Sequence, residues 1–159
     1  MTTSRVHCRP WHVSSRDGCP SPFISSSRLW GSSLQQRDMF ITDDNEVLLS
    51  ALRRRFAGKF RRVRVFNSGE ALLEALVHDM PDIIVLDLKM PGVSGIETLR
   101  RIRCIHPQAL VILLTAYGSS EDCEVAQGLG AFEVVTKRVG LEELDVAVTR
   151  ALGYLGTRA

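Results

Sequence analysis

Asp82-Ile83-Ile84-Val85-Leu86-Asp87-Leu88, followed at once by Lys89-Met90-Pro91-Gly92, decides how this 159-residue chain is read. β-Branched and aliphatic residues without polar alternation predict a strand buried on both faces, the habit of parallel sheets. Pro91 and Gly92 end the run. Its last acid, Asp87, falls where open α/β sheets bind ligands, at the carboxyl end of a strand. A buried carboxylate is costly unless a partner or a function requires it. Asp87 is therefore the first candidate functional residue.

Working outward, short apolar runs alternate with amphipathic stretches from Gln36 onward. The strands expected are Asp38–Thr42, Arg62–Phe66, Asp82–Leu88, Ala109–Thr115 and Glu133–Thr136. The first helix, Glu46–Phe56, is expected to bury Val47, Leu48, Ala51, Leu52 and Phe56. A second starts from an N-cap at Asn67 or Ser68 and carries Ala71, Leu72, Ala75 and Leu76. A third opens after Gly95 and holds Ile96, Leu99, Ile102 and Arg103. The fourth begins at Ser119 or Ser120 and stops at Gly128 or Gly130. The fifth, Leu141–Leu155, buries Leu141, Leu144, Val148 and Leu152. Five βα units in strict alternation predict an α/β fold, a doubly wound five-stranded parallel sheet with helices on both faces. With right-handed crossovers the expected order is the flavodoxin-like 2-1-3-4-5, whose switch point lies between strands 1 and 3.

Residues 1–35 differ in kind. They hold nine serines, three prolines and two glycines without a usable period, which predicts a disordered extension. Met39 is an alternative initiator, although a start there shortens the first strand. Trp11, Phe23 and Trp30 leave transient docking of this segment open. It carries four arginines against Asp17 alone, whereas the remainder balances 16 basic with 17 acidic residues. That balance makes no case for direct nucleic-acid binding by the main domain. Cys8, Cys19, Cys104 and Cys123 form no CxxC pair, and a zinc cluster of His7, Cys8, His12 and Cys19 lacks the tight spacing such sites use. Reduced thiols and a cytoplasmic location are expected. No apolar run approaches the ~18 residues that a membrane span needs.

Strand 1 ends in Asp43-Asp44, which the proposed order sets opposite Asp87 across the switch point. Three converging carboxylates repel one another, and a divalent cation relieves them; an all-oxygen set suits Mg²⁺. Strands 4 and 5 end in Thr115, a hydroxyl, and Lys137, an ammonium. Acids, metal, hydroxyl and cation in one crevice are what phosphoryl transfer requires, with Asp87 as nucleophile. Taken singly, Asp43 or Asp44 also reads as a helix N-cap, Thr115 as a turn residue and Lys137 as a solvated cation.

Asp43-Asp44, Asp87 with Met90-Pro91 and Gly95, Leu114-Thr115-Ala116 and Thr136-Lys137 resemble the receiver domain of two-component response regulators. The resemblance covers residues 36–156, leaving 157–159 as a tail. It implies that Asp87 accepts a phosphoryl group from a histidine kinase or histidine phosphotransfer protein. Asp43, Asp44, Asp87 and the backbone carbonyl of Lys89 would hold Mg²⁺, Thr115 would bond a phosphoryl oxygen, and Lys137 would pair with the phosphate. Self-catalysed phosphorylation and dephosphorylation, an effector protein as downstream partner, and a homodimer through the fourth helix and fifth strand are further implications. No output domain follows the fifth helix, so a stand-alone regulator or a fragment is expected.

The chain departs from the family pattern twice. Arg138 stands where a proline with a cis bond is usual; a non-proline cis bond costs ~2.5–4 kcal/mol, so a rearranged trans loop is expected after Lys137. Val134 stands where an aromatic residue usually moves with the threonine; Phe132, two residues earlier and so on the same side of a strand, is a candidate for partial substitution, with the more direct reading that the position lacks its aromatic. These departures support an alternative, a degenerate receiver serving as a phosphorylation-independent interaction module. Lys89 and Tyr117 flank the site as candidates for tuning the phosphate lifetime. Seven basic residues between Arg53 and Arg64 read as a solvated face around the first helix, with nucleic acid as the rival reading. Gly128-Leu129-Gly130 lacks a third glycine and follows a helix, which rules out a dinucleotide loop. His78 and His106 are expected at the surface.

Overall fold

A computed structural model describes residues 36–116, 120–137 and 141–158. Five strands, β1 (Asp38–Thr42), β2 (Arg62–Phe66), β3 (Ile83–Asp87), β4 (Leu110–Thr115) and β5 (Glu133–Thr136), alternate with helices α1 (Glu46–Phe56), α2 (Gly69–Ala75), α3 (Gly95–Ile105), α4 (Ser120–Gly128) and α5 (Leu141–Thr157). The strands form one parallel sheet in the order β2-β1-β3-β4-β5. Fold class and strand order are those expected from the sequence. Three expected strand ends are trimmed, Asp82, Leu88 and Ala109; the first two still bond across the sheet, Asp82 N donating to Asp38 O at 3.0 Å and Leu88 N to Leu114 O at 2.9 Å.

Every residue of β3 is buried, because β1 and β4 flank it and helices cover both faces. Side-chain alternation then splits the core. Ile83 and Val85 pack with Leu49, Leu52 and Phe56 of α1 and Leu144, Ala147 and Val148 of α5. Ile84 and Leu86 pack with Leu72 and Leu76 from the α2 region, Leu99 and Ile102 of α3, and Ala126 of α4. A continuous apolar strand serves both halves, which is why its sequence shows no alternation.

The first helix has the bounds expected, Glu46–Phe56, and only its cap and part of its buried stripe differ. Asn45, not Asp43 or Asp44, is its N-cap, and its side chain accepts from Val47 N and Leu48 N. Glu46 thus opens the helix, and the buried stripe is Leu49, Leu52 and Phe56 with Leu48 beside it. Val47 is 80% exposed. The cap matters for function, because it leaves both acids of the pair free of helix-terminating duty.

One glycine determines the join between β3 and α3. A methyl on Gly95 would stand 2.3 Å from Asp87 O and 2.5 Å from Leu88 Cα. The helix start therefore lies directly against the strand end that carries Asp87, with Gly95 N donating to Leu88 O at 3.0 Å. Only a residue without a side chain allows that approach.

The basic run between Arg53 and Arg64 is partly a solvated face, with Arg53 and Arg54 exposed, and partly a set of ion pairs that tie elements together. Arg55 makes a bidentate pair with Asp145 of α5, its Nε donating to Oδ2 at 2.9 Å. Arg61 and Arg62 bind Asp38, and Arg62 and Arg64 bind Asp79. Arg64 also lies over the Phe40 and Phe66 rings, 5.2 and 5.0 Å from their centroids. No described helix is long and apolar enough to cross a membrane.

Candidate functional site

The carboxyl ends of β1, β3, β4 and β5 meet in one crevice, as the strand order requires. β1 delivers Asp43, whose Oδ1 accepts from Asn45 N at 2.9 Å. β3 delivers Asp87, whose Oδ1 accepts from Lys89 N at 3.3 Å. Both are almost wholly buried, Asp43 at 0% and Asp87 at 2% exposure, while Asp44 is exposed. Ligand oxygens of Asp43, Asp44 and Asp87 all lie within 4.8 Å of one another. The ammonium of Lys137, just past β5, bridges the buried pair: Nζ is 2.5 Å from Asp43 Oδ2 and 3.1 Å from Asp87 Oδ2.

The titration of these groups follows from that crowding. Burial pushes the Asp87 carboxyl above its ordinary range, and the Asp43 charge adds to the push; the Lys137 bond and charge and the Lys89 N–H oppose it. For Lys137 burial acts downward, but hydrogen bonds to Asp43 and Asp87 and their charges together outweigh it, so the ammonium is held above its ordinary value. Lysine is thereby fixed as a cation between two acids, one of which is reluctant to ionise.

Three carboxylates, two of them buried, face one ammonium among the described residues, which leaves a deficit of positive charge. The donor set is all oxygen. Lys137 already plays a cation's part for two of the acids, while Asp44 stays open to solvent. The residues present therefore fit a hard divalent ion such as Mg²⁺. Thr115 completes the wall from β4, and its Oγ1 is buried without a hydrogen-bond partner among the described residues. Most buried hydroxyls are bonded, so an unspent one beside an acidic crevice is a donor available to a ligand.

The structure thus brings Asp43, Asp44, Asp87, Thr115 and Lys137 together on the strand ends assigned to them from sequence, with Lys89 adjoining through its backbone. The candidate substitution by Phe132 is not met, so the position lacks its aromatic. Its ring packs in the α1–α5 half of the core, against Tyr154 with centroids 5.8 Å apart, whereas Val134 packs in the other half. Phe132 precedes the strand, so the two-residue alternation begins only at Glu133. Arg138 and Tyr117, the zinc alternative at His7, Cys8, His12 and Cys19, and the docking of Trp11, Phe23 and Trp30 all lie outside the described residues. Two contributors escaped the sequence reading. Asn45 was masked by the acids before it, and Glu70, which binds a loop 23 positions away, gives no local signal at all.

Comparison with known proteins agrees with this geometry. The description "Response regulator receiver domain" matches residues 39–149. The chain is 31% identical over 121 residues to the DNA-binding transcriptional regulator NtrC of Escherichia coli K12, covering 76% of this chain and 26% of NtrC. It is 32% identical over 125 residues to the uncharacterized transcriptional regulatory protein YkoG of Bacillus subtilis, covering 79% and 55%. The chain therefore spans about a quarter of the length of the NtrC relatives it matches. Those relatives are named as DNA-binding, so the expectation of no nucleic-acid partner gains no support from them. Among solved structures, the BeF3-activated DrrB receiver domain is 30% identical with a TM-score of 0.68, covering 74% of this chain and 98% of that one. A CheY-like receiver domain protein from Methanospirillum hungatei JF-1 has a TM-score of 0.72 at 21% identity, covering 78% and 99%; it speaks for the fold alone.

Proposed function

The chain belongs to the response regulator receiver domain family, and from that premise we propose that Asp87 accepts a phosphoryl group in a two-component signalling system. The donor is a phosphohistidine of a histidine kinase or phosphotransfer protein. The observation that carries the reading is the Lys137 ammonium shared by two buried carboxylates, Asp43 and Asp87, beside the third acid Asp44. Asp43, Asp44, Asp87 and the Lys89 carbonyl would hold Mg²⁺. When bound, the ion supplies neutralisation of the carboxylates and of the incoming phosphoryl oxygens.

The rest of the chemistry falls to the chain. A carboxylate oxygen of Asp87 attacks phosphorus; the new P–O bond forms as the P–N bond breaks, and its electron pair stays on the imidazole. Lys137, kept as a cation, balances charge on the phosphoryl oxygens. Thr115 donates its unspent hydroxyl to one of them. Burial of Asp43 and Asp87 keeps bulk water from competing. Hydrolysis of the resulting acyl phosphate returns the free carboxylate and inorganic phosphate.

The test is incubation with Mg²⁺ and acetyl phosphate followed by a phosphate-affinity gel. A retarded band, lost in Asp87→Asn, is expected; absence of retardation with every donor tried removes the phosphoacceptor reading and leaves the phosphorylation-independent interaction module. The packing of Val134 favours a middle case, in which phosphate is taken up but weakly reported. With no aromatic ring at that position and Phe132 in the opposite half of the core, the β5 end lacks the side chain that would follow Thr115. Amide spectra with and without beryllofluoride should then shift little across Val134–Lys137; large shifts there contradict a muted readout.

A further inference from the structure

The loop between β3 and α3 carries Lys89 and is anchored unevenly. At its start Lys89 N points to Asp87 Oδ1 at 3.3 Å. At its end Ser94 caps α3, accepting from Glu97 N at 3.3 Å. Between them, Gly92 takes a left-handed φ of 81°, and Pro91 has no N–H to donate. One hydrogen bond among the described residues ties this middle stretch to another element: Val93 N donates to Glu70 Oε1 at 3.0 Å.

Glu70 sits in the first turn of α2, behind the cap Ser68, whose side chain accepts from Ala71 N at 3.2 Å. The fit is close as well as bonded. A methyl on Gly92 would stand 2.7 Å from Glu70 Oε1, so the turn is shaped around the carboxylate. The Glu70 carboxyl is held below its ordinary range by its own N–H and that of Val93, with Ser68 and Arg101 adding to this and burial opposing it. The same helix start is pressed onto α3, where a methyl on Gly69 would stand 2.4 Å from Thr98 Oγ1. The base of the clamp is therefore seated against the helix into which the loop runs.

We propose that Glu70 is a positioning residue: by accepting the Val93 N–H it holds the Lys89–Ser94 loop in the shape that presents the Lys89 backbone to the acidic crevice. This rests on the phosphoacceptor reading above. Glu70 touches neither Asp87 nor, in that reading, the metal; it acts through the loop, as outer partners orient the groups that bind an ion.

Glu70→Ala removes both the acceptor and the charge, whereas Glu70→Gln keeps an acceptor and removes the charge. Three readouts on the full chain decide the matter: hydrogen exchange of the Val93 and Lys89 amides, Mg²⁺ titration followed by amide shifts, and the initial rate of acetyl phosphate labelling against Mg²⁺ concentration. In the alanine variant, exchange at Val93 should rise about tenfold and the Mg²⁺ half-saturation about three- to tenfold, with the rate at saturating Mg²⁺ unchanged. The glutamine variant should recover most of both. Equal weakening by both substitutions would show that only the field of the charge matters, and the proposal fails. Unchanged Val93 exchange and Mg²⁺ affinity in Glu70→Ala also overturn it. A wild-type chain that neither binds Mg²⁺ nor takes phosphate overturns the functional reading and this role together. A wild type that does both, beside an indistinguishable alanine variant, overturns this role alone.

Discussion

Strand β1 carries a buried acid at each end, and the two are treated in opposite ways. Asp38 begins the strand at 2% exposure and Asp43 follows it at 0%. Around Asp38 the charges are matched. Arg61 donates to it twice, at 2.9 and 2.7 Å, and Arg62 once at 2.8 Å. Its neighbour Asp82 takes Arg37 at 2.7 Å, and Asp79 takes Arg62 and Arg64. Around Asp43 two buried acids share Lys137, and a third, Asp44, lies beside them with no ion pair among the described residues. Both ends lie on the same rigid sheet. What differs is whether the chain supplies the countercharge itself. Where it does, the network is part of the fold; where it withholds it, the cluster of acids left short of positive charge fits a cation.

The sharpest way to break this contrast is to neutralise one acid at each end. Asp87→Asn should abolish phosphate uptake outright on the affinity gel, while Asp38→Asn should label as wild type does. If the Asp38 variant also fails to label while remaining folded by circular dichroism, the two ends are not independent. The next largest effect is on stability and falls at the other end. Asp38→Ala strands two guanidinium groups that share a buried acceptor, and urea unfolding should show a loss of about 2–3 kcal/mol. The arginines concerned are partly exposed, which keeps the loss below that of a fully buried pair.

Magnesium sharpens the same comparison. If the crevice is a site left short of positive charge, Mg²⁺ at ten to a hundred times its dissociation constant should add about 1.4–2.7 kcal/mol to wild-type stability. Asp38→Ala should gain as much, from its lower baseline. Asp43→Asn should gain little. A gain that persists in Asp43→Asn would place the ion elsewhere.

How much of this was legible in the sequence follows from the reach of each interaction. β3 announced itself because burial on both faces leaves no polar residue in the run, and Asp87 stood out by ending it. The partners Asp43, Thr115 and Lys137 could be found because strand order places them, and each sits at the end of a run that reads as a strand. Arg53 and Arg54 are exposed as a solvated face should be, but the pairing of Arg55, Arg61, Arg62 and Arg64 was hidden, since their acids, Asp38, Asp79 and Asp145, come from three other parts of the chain; a one-dimensional charge run carries no trace of such pairing. Val47 was misassigned for a local reason: the buried stripe runs through Leu49, Leu52 and Phe56, and a residue two positions before Leu49 lies on the far side of the helix. Phe132 was misassigned because alternation was extended one residue beyond the strand. Glu70 was invisible, because its partner is a backbone N–H in a loop whose conformation depends on Gly92.

The smallest effect predicted is also the one whose sign tells the two ends apart. Hydrogen bonding from Arg61 holds the Asp38 carboxyl below its ordinary 3.8, against the opposing effect of burial and with help from Arg62. A carboxyl lowered in the folded state contributes stability that is present above the unfolded value and is lost as pH falls through the folded one. The window therefore opens near pH 4 and extends below it. Asparagine at this position has no proton to gain, so the stability gap between wild type and Asp38→Asn should stay constant from pH 7 to 5. It should narrow below pH 4 in magnesium-free urea titrations. A gap that instead closes between pH 7 and 5 would mean that the charge lost is not that of the Asp38 carboxylate, and that the arginine end is not the self-contained network its geometry describes.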